Sequence, residues 1–121
     1  MTFEERKAQG KSYLGKTVVI SIDRPMGYVH KKESFSLTYP INYGYIPDVV
    51  GGDGEELDVY LLGVNEPVEQ YECKIIAIAH RHNDVEDKLV GAPEGMSFTK
   101  EDIEDAISFQ ERFFDTEVEV L

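Results

Sequence analysis

Four carboxylates, Asp53, Glu55, Glu56 and Asp58, crowd together at the end of residues 39–58, YPINYGYIPDVVGGDGEELD. Gly52 and Gly54 flank Asp53 and free the backbone around it. Alternate side chains of an extended strand share a face, so a turn brings Asp53 and Glu55 toward Asp58 on the next strand. Charges placed so closely repel. At about 5 Å and an effective dielectric of about 20, each like-charge pair costs about 3 kcal/mol. Protons offset this at low pH, and near neutrality a hard divalent cation does so. The same residues also read as an ordinary Gly-Asp-Gly hairpin whose acidic side chains face water. The aromatic half of the segment speaks for a site. Tyr39, Tyr43 and Tyr45 are expected on one side of an extended stretch that Pro40 and Pro47 stiffen, with Asn42 and Gly44 between them. Phenol hydroxyls beside carboxylates suit a charged, oxygen-rich ligand. They equally suit an apolar strand whose hydroxyls reach its rim.

This segment resembles the signature of the family I soluble inorganic pyrophosphatases, in which a Y-P-x-N-Y-G-Y-I run precedes a metal motif close to D-G-D-P-x-D. The spacing from Tyr39 through Asn42, Tyr43, Gly44, Tyr45 and Ile46 to Asp53, Gly54 and Asp58 is kept without a gap. Weaker similarity continues through residues 75–79 and 84–93, DVEDKLVGAP, so that it covers roughly residues 16–115. The departures are specific. Glu55 stands at the middle Asp of the motif and Glu56 at its Pro. Ser21 stands at a catalytic-site Glu, and Phe113 and Phe114 at a phosphate-holding Tyr-Lys pair. A shortened connection leaves Arg24, His30, Lys31 and Lys32 as the basic candidates before Tyr39.

The resemblance implies metal-assisted hydrolysis of pyrophosphate to phosphate. Asp53, Glu55 and Asp58 would bind a first Mg²⁺ or Mn²⁺, with Asp84 or Glu86 helping to hold further ions. Glu55 would accept a proton from the attacking water. Tyr43 and Lys88, with Arg24 or Lys31, would stabilise the leaving phosphate. The absent phosphate contacts leave two alternatives: a non-catalytic metal- or phospholigand-binding barrel, and a hydrolase of another phosphorylated substrate.

Strands must position these groups. Residues 17–22 form a β-branched run, and Phe35 and Leu37 alternate with small polar residues leading into Tyr39. Further strands are expected over 58–64, 71–82 and 88–92. Thr99 caps a helix with Asp102 returning the hydrogen bond, and Ile103, Ala106, Ile107, Phe113 and Phe114 fall on its apolar stripe. Residues 115–121 alternate charge and apolar character, as an edge strand does, and residues 1–15 are a flexible extension or a short helix capped at Thr2. The fold class is mainly β with a C-terminal helix: a small closed five-stranded barrel, OB-like in the family it resembles, forming one domain over 1–121.

A net charge of −12 opposes binding to nucleic acid or an anionic membrane. It suits an anionic substrate only if that substrate arrives with metal. The single cysteine, Cys73, excludes an internal disulfide, and the polar N-terminus shows no signal peptide, so a reducing, cytoplasmic setting is expected. The resembling family is often oligomeric, which implies a homo-oligomer here. His80 and His82 share a strand face in an H-x-H pair, but without a third nitrogen ligand they read as a polar strand end near solvent.

Overall fold

The computed structural model describes residues 1–121. In chain order its elements are α1 (Phe3–Tyr13), β1 (Thr17–Arg24), β2 (Val29–Lys31), β3 (Ser36–Thr38), β4 (Asn42–Val50), β5 (Glu56–Leu61), β6 (Gln70–Arg81), β7 (Lys88–Ala92), α2 (Lys100–Glu111) and β8 (Thr116–Val120). β1, β4, β5, β7 and β6 pair in that order, and β6 pairs back onto β1, which closes a five-stranded barrel. The length of β6 makes closure possible. Its residues 70–74 pair with β1, residues 77–81 pair with β8, and β7 lies along the other edge. Only β5 and β7 run parallel.

The expected barrel is therefore present, with one strand exchanged. β3, which contains Leu37, pairs only with β2 in a separate hairpin, and β4 takes the barrel position instead. Gly44 makes this possible. It lies opposite Ile22, and a Cβ there would overlap the Ser21 carbonyl oxygen, so only bare backbone lets β4 come this close to β1.

Along β5, Leu57, Val59 and Leu61 point to a cluster with Ile20, Cys73, Ile75, Ile78 and Leu89. Tyr60 and Leu62 join Tyr43, Val90, Ile103 and Ile107 on the face that α2 covers. The two-residue period of the strand sets Asp58 on this second face beside Tyr60. Cys73 is buried, and burial alone pushes its thiol up to about 12. α2 has the expected capping box between Thr99 and Asp102 but ends at Glu111. Phe113 and Phe114 thus fall beyond the helix, and Phe113 is 55% exposed rather than part of the core stripe.

Residues 1–15 contain a helix that is anchored to the barrel. Thr2 and Glu5 form a capping box, and Gly10 packs its backbone against Ile78. Arg6, itself buried, donates to Asp87 at 3.0 Å and to the Arg81 carbonyl at 3.3 Å. His80, expected near solvent, is only 1% exposed. Its Nδ1 lies 2.9 Å from Asp87 and its Nε2 2.9 Å from Glu119, whose other oxygen faces Lys11 at 3.7 Å. His82 is the solvent-facing member, stacked on Phe3 and bonded to Glu117.

Burial alone would lower the His80 pKa, but its hydrogen bonds to the two carboxylates outweigh that and raise it. A raised folded-state pKa contributes stability that is complete below the ordinary imidazole value and is lost as pH rises through the folded value. Urea unfolding at a series of pH values is expected to show this loss in the wild type, and His80→Gln to flatten it. Equal pH slopes in the two proteins would exclude His80 as the titrating group.

Candidate active site

Four neighbouring strands and the end of α2 each bring polar side chains to the face outside Tyr60. Tyr43 of β4 donates its hydroxyl to Asp58 Oδ2 of β5 at 2.9 Å. Lys88 of β7 bridges Asp58 Oδ2 at 2.5 Å and Glu86 Oε1 at 2.7 Å. Lys88 is almost fully buried, so these carboxylates are what allow its charge to remain there. Burial, followed by the Asp58 charge, pushes the Tyr43 phenol well above its ordinary value, so Tyr43 acts as a donor. Arg81 of β6 donates to Glu86 at 3.2 Å, to Asp84 at 2.9 Å and to Glu111 of α2 through two nitrogens.

The acidic turn closes on this group. Gly52 has no space for a side chain, since a Cβ would overlap the Val85 carbonyl oxygen. The tight approach brings the acidic turn against the segment before β7, so that Asp53 and Glu86 line one cavity. Their titrations divide. Glu86 lowers Asp53, while burial first and Asp53 second raise Glu86 to about 7 despite the nearby Lys88. Crowding of like charge therefore acts on Glu86 rather than on Asp53.

These groups line a cavity of ≈ 620 Å³. Of the residues singled out from the sequence, Arg24, Tyr43, Asp53, Glu55, Asp58, Glu86 and Lys88 line it together. Lys31 and Asp84 do not. Lys31 points away from the cavity while its neighbours His30 and Lys32 line it, as strand alternation requires. Asp84 is engaged by Arg81. Tyr39 lies behind the cavity wall, taking a hydrogen bond from Arg24 and giving one to Gln110 at 2.7 Å. Asn42 is a structural tie rather than a lining residue. Its side chain bonds the backbone of Met26, Val64, Glu66 and Val68 and so holds two loops against β4.

Asp23 is a lining residue that the sequence reading passed over in favour of Ser21. A bulge between Ile22 and Arg24 breaks the alternation and turns both Asp23 and Arg24 into the cavity. Burial, with a contribution from the Asp58 charge, raises the Asp23 pKa. Apolar residues line it as well: Phe35 and Leu37, which the sequence reading took only as strand residues, and Phe113 and Phe114, which stand where the resemblance places a phosphate-holding Tyr-Lys pair.

The donor set suits a hard divalent ion by type, because every acidic lining group offers carboxylate oxygen. The raised Glu86 carboxyl, which burial and Asp53 push up, also marks a place where positive charge relieves repulsion. No three acidic side chains are gathered tightly enough to hold an ion by themselves. Asp53, Glu55 and Asp58 line one cavity without meeting at one point, since Lys88 and Tyr43 already engage Asp58.

Known proteins share the architecture. Residues 14–117 match the profile of the family described as Inorganic pyrophosphatase. An inorganic pyrophosphatase of Rickettsia prowazekii (strain Madrid E) is 28% identical over 83 residues, 57% of this chain and 48% of that protein. One of Rickettsia typhi (strain ATCC VR-144 / Wilmington) is 26% identical over 70 residues, 54% of this chain and 39% of that protein. The chain spans about half or less of the length of these curated relatives. Among solved structures, an inorganic pyrophosphatase from Ehrlichia chaffeensis superposes with a TM-score of 0.66 at 17% identity, covering 88% of this chain and 87% of that one. One from Neisseria gonorrhoeae gives 0.56 at 23% identity, covering 81% and 72%. Likeness at such identities is one of fold.

Proposed function

The chain belongs to the inorganic pyrophosphatase family, and from that membership we propose that it hydrolyses inorganic pyrophosphate to phosphate with the help of a divalent ion, Mg²⁺ or Mn²⁺. The observation that carries the reading is the convergence of Asp53, Asp58, Glu86, Lys88 and Tyr43 on one cavity. Asp53, Glu55, Asp58 and Glu86 are the residues to hold the ion, and Asp23 adds a carboxylate nearby. Such an ion supplies positive charge to phosphate oxygens and acidifies a water.

The chain's own residues do the rest. Lys88, held by Asp58 and Glu86, and Arg24, held over the Tyr39 and Tyr43 rings at 5.4 and 5.9 Å, present fixed positive charge to the anion. Tyr43 keeps its proton and turns the hydrogen bond it gives Asp58 toward a developing oxyanion. Glu55, exposed at the cavity edge, accepts the proton that water loses on attack. Lys32 extends the cationic side where Lys31 was expected to, and His30, whose pKa burial and the Arg24 charge lower, adds a neutral imidazole.

Cytoplasmic location and homo-oligomeric assembly belong to the same proposal. The buried free thiol Cys73 suits a reducing setting, and the exposed Val19, Val29 and Val120 suit association. No helix is long and apolar enough to cross a membrane.

Phosphate release from pyrophosphate, measured with Mg²⁺, with Mn²⁺ and with excess chelator, tests the function. Turnover that chelator abolishes is expected. A metal-dependent rise in Tm without turnover would instead make the protein a binding barrel.

A further inference from the structure

The cavity lining offers two unlike kinds of surface, and pyrophosphate uses only one. Carboxylates and Lys88 line it together with Phe35, Leu37, Phe113 and Phe114, and Arg24, His30 and Lys32 are also in the lining. Pyrophosphate is charged on every face and offers an apolar wall nothing to bury. A volume of ≈ 620 Å³ is that of a site for a mid-sized organic ligand.

The aromatic wall is not core packing. Phe35 is 45% and Phe113 55% exposed, and neither belongs to the two buried clusters. They meet as a tilted pair with ring centroids 6.1 Å apart, Phe35 from the turn between β2 and β3 and Phe113 from the segment after α2. Cations accompany them: Lys32 lies 5.8 Å from the Phe35 ring and Arg112 5.0 Å from the Phe113 ring. Exposed aromatic surface rimmed by charge, continuous with a phosphate-type site, marks a place for a ligand that has a flat ring at one end and phosphate at the other.

We propose that this site accepts nucleoside diphosphates, seating the base against Phe35 and Phe113 and the phosphates between Lys32, Arg24 and Lys88. The inference rests on the hydrolase reading above and names its substrate class. In the reaction, water oxygen bonds to the terminal phosphorus and the bond from that phosphorus to the bridging oxygen breaks. The nucleoside monophosphate leaves with the bridging oxygen, and the proton lost by water passes to a cavity carboxylate. No further co-reactant is consumed.

The test compares Mg²⁺-dependent phosphate release from adenosine diphosphate, pyrophosphate and inorganic triphosphate, the last being a longer anion without a ring. Adenosine diphosphate is expected to be cleaved with a higher kcat/KM than inorganic triphosphate. Phe113→Ala is expected to lower the ratio of kcat/KM for adenosine diphosphate over pyrophosphate at least tenfold, and Phe113→Tyr to restore it. Cleavage of pyrophosphate with no cleavage of adenosine diphosphate, or an unchanged ratio in Phe113→Ala, overturns the inference while leaving the hydrolase reading intact. Should no substrate be cleaved, the hydrolase reading fails, and calorimetric titration with adenosine diphosphate decides the rest. Binding that Phe113→Ala weakens at least tenfold upholds the ring site, and absent or equal binding overturns it.

Discussion

Asp58→Asn is expected to lower Mg²⁺-dependent phosphate release from pyrophosphate by at least about 100-fold in kcat, with the fold retained. Asp58 is the one carboxylate that touches both the tyrosine and the lysine of the cavity. The amide still offers an oxygen to Tyr43, and Lys88 keeps Glu86 at 2.7 Å, so the buried ammonium is not left without a partner. What disappears is a negative charge on the substrate side, which a divalent ion would need and which orients Lys88. Phosphate release and thermal melting measured on the same preparation separate the two consequences. A variant that melts like wild type and turns over like wild type would remove Asp58 from the mechanism.

Glu111→Ala is expected to cost about 3–5 kcal/mol of stability, the largest structural effect of any single side chain considered. Glu111 is 5% exposed and accepts four hydrogen bonds: two from Arg81, one from Tyr60 at 2.5 Å and one from Thr116 at 2.7 Å. Its removal strands a guanidinium that is itself 2% exposed, along with the Tyr60 hydroxyl. Urea unfolding measures the loss, and a cost below about 1 kcal/mol would show that Asp84 and Glu86 suffice for Arg81. The same group sets a pH limit. Burial would raise the Glu111 pKa, but Arg81 outweighs it and the value falls. The stability it contributes is therefore present above the ordinary carboxylate range and lost as pH falls through the lowered value.

Local regularity made much of this fold readable. The β-branched run of β1, the capping box at Thr99 and the alternation in β8 are patterns that a few neighbouring residues complete. β4 was harder, because Pro47 and Gly44 weaken its strand character and its place beside β1 depends on an absent side chain. The site divides along the same line. Tyr43, Asp53, Asp58 and Lys88 sit in contiguous motifs, so they could be named. Asp23 could not, because a bulge overrides the two-residue period. Nor could the burial of His80, since its partners Asp87 and Glu119 and the Arg6 of α1 are far apart in sequence. The same holds for Phe113, which belongs to the helical stripe by spacing but lies past the end of α2.

The solitary sulfur at position 73 gives the barrel a built-in reporter of its own opening. With its thiol pushed up to about 12 and its side chain packed under Gly91, it is inert toward alkylating reagents while the strands stay closed. The rate at which such a reagent tags the folded protein thus measures how often the strands around Cys73 part.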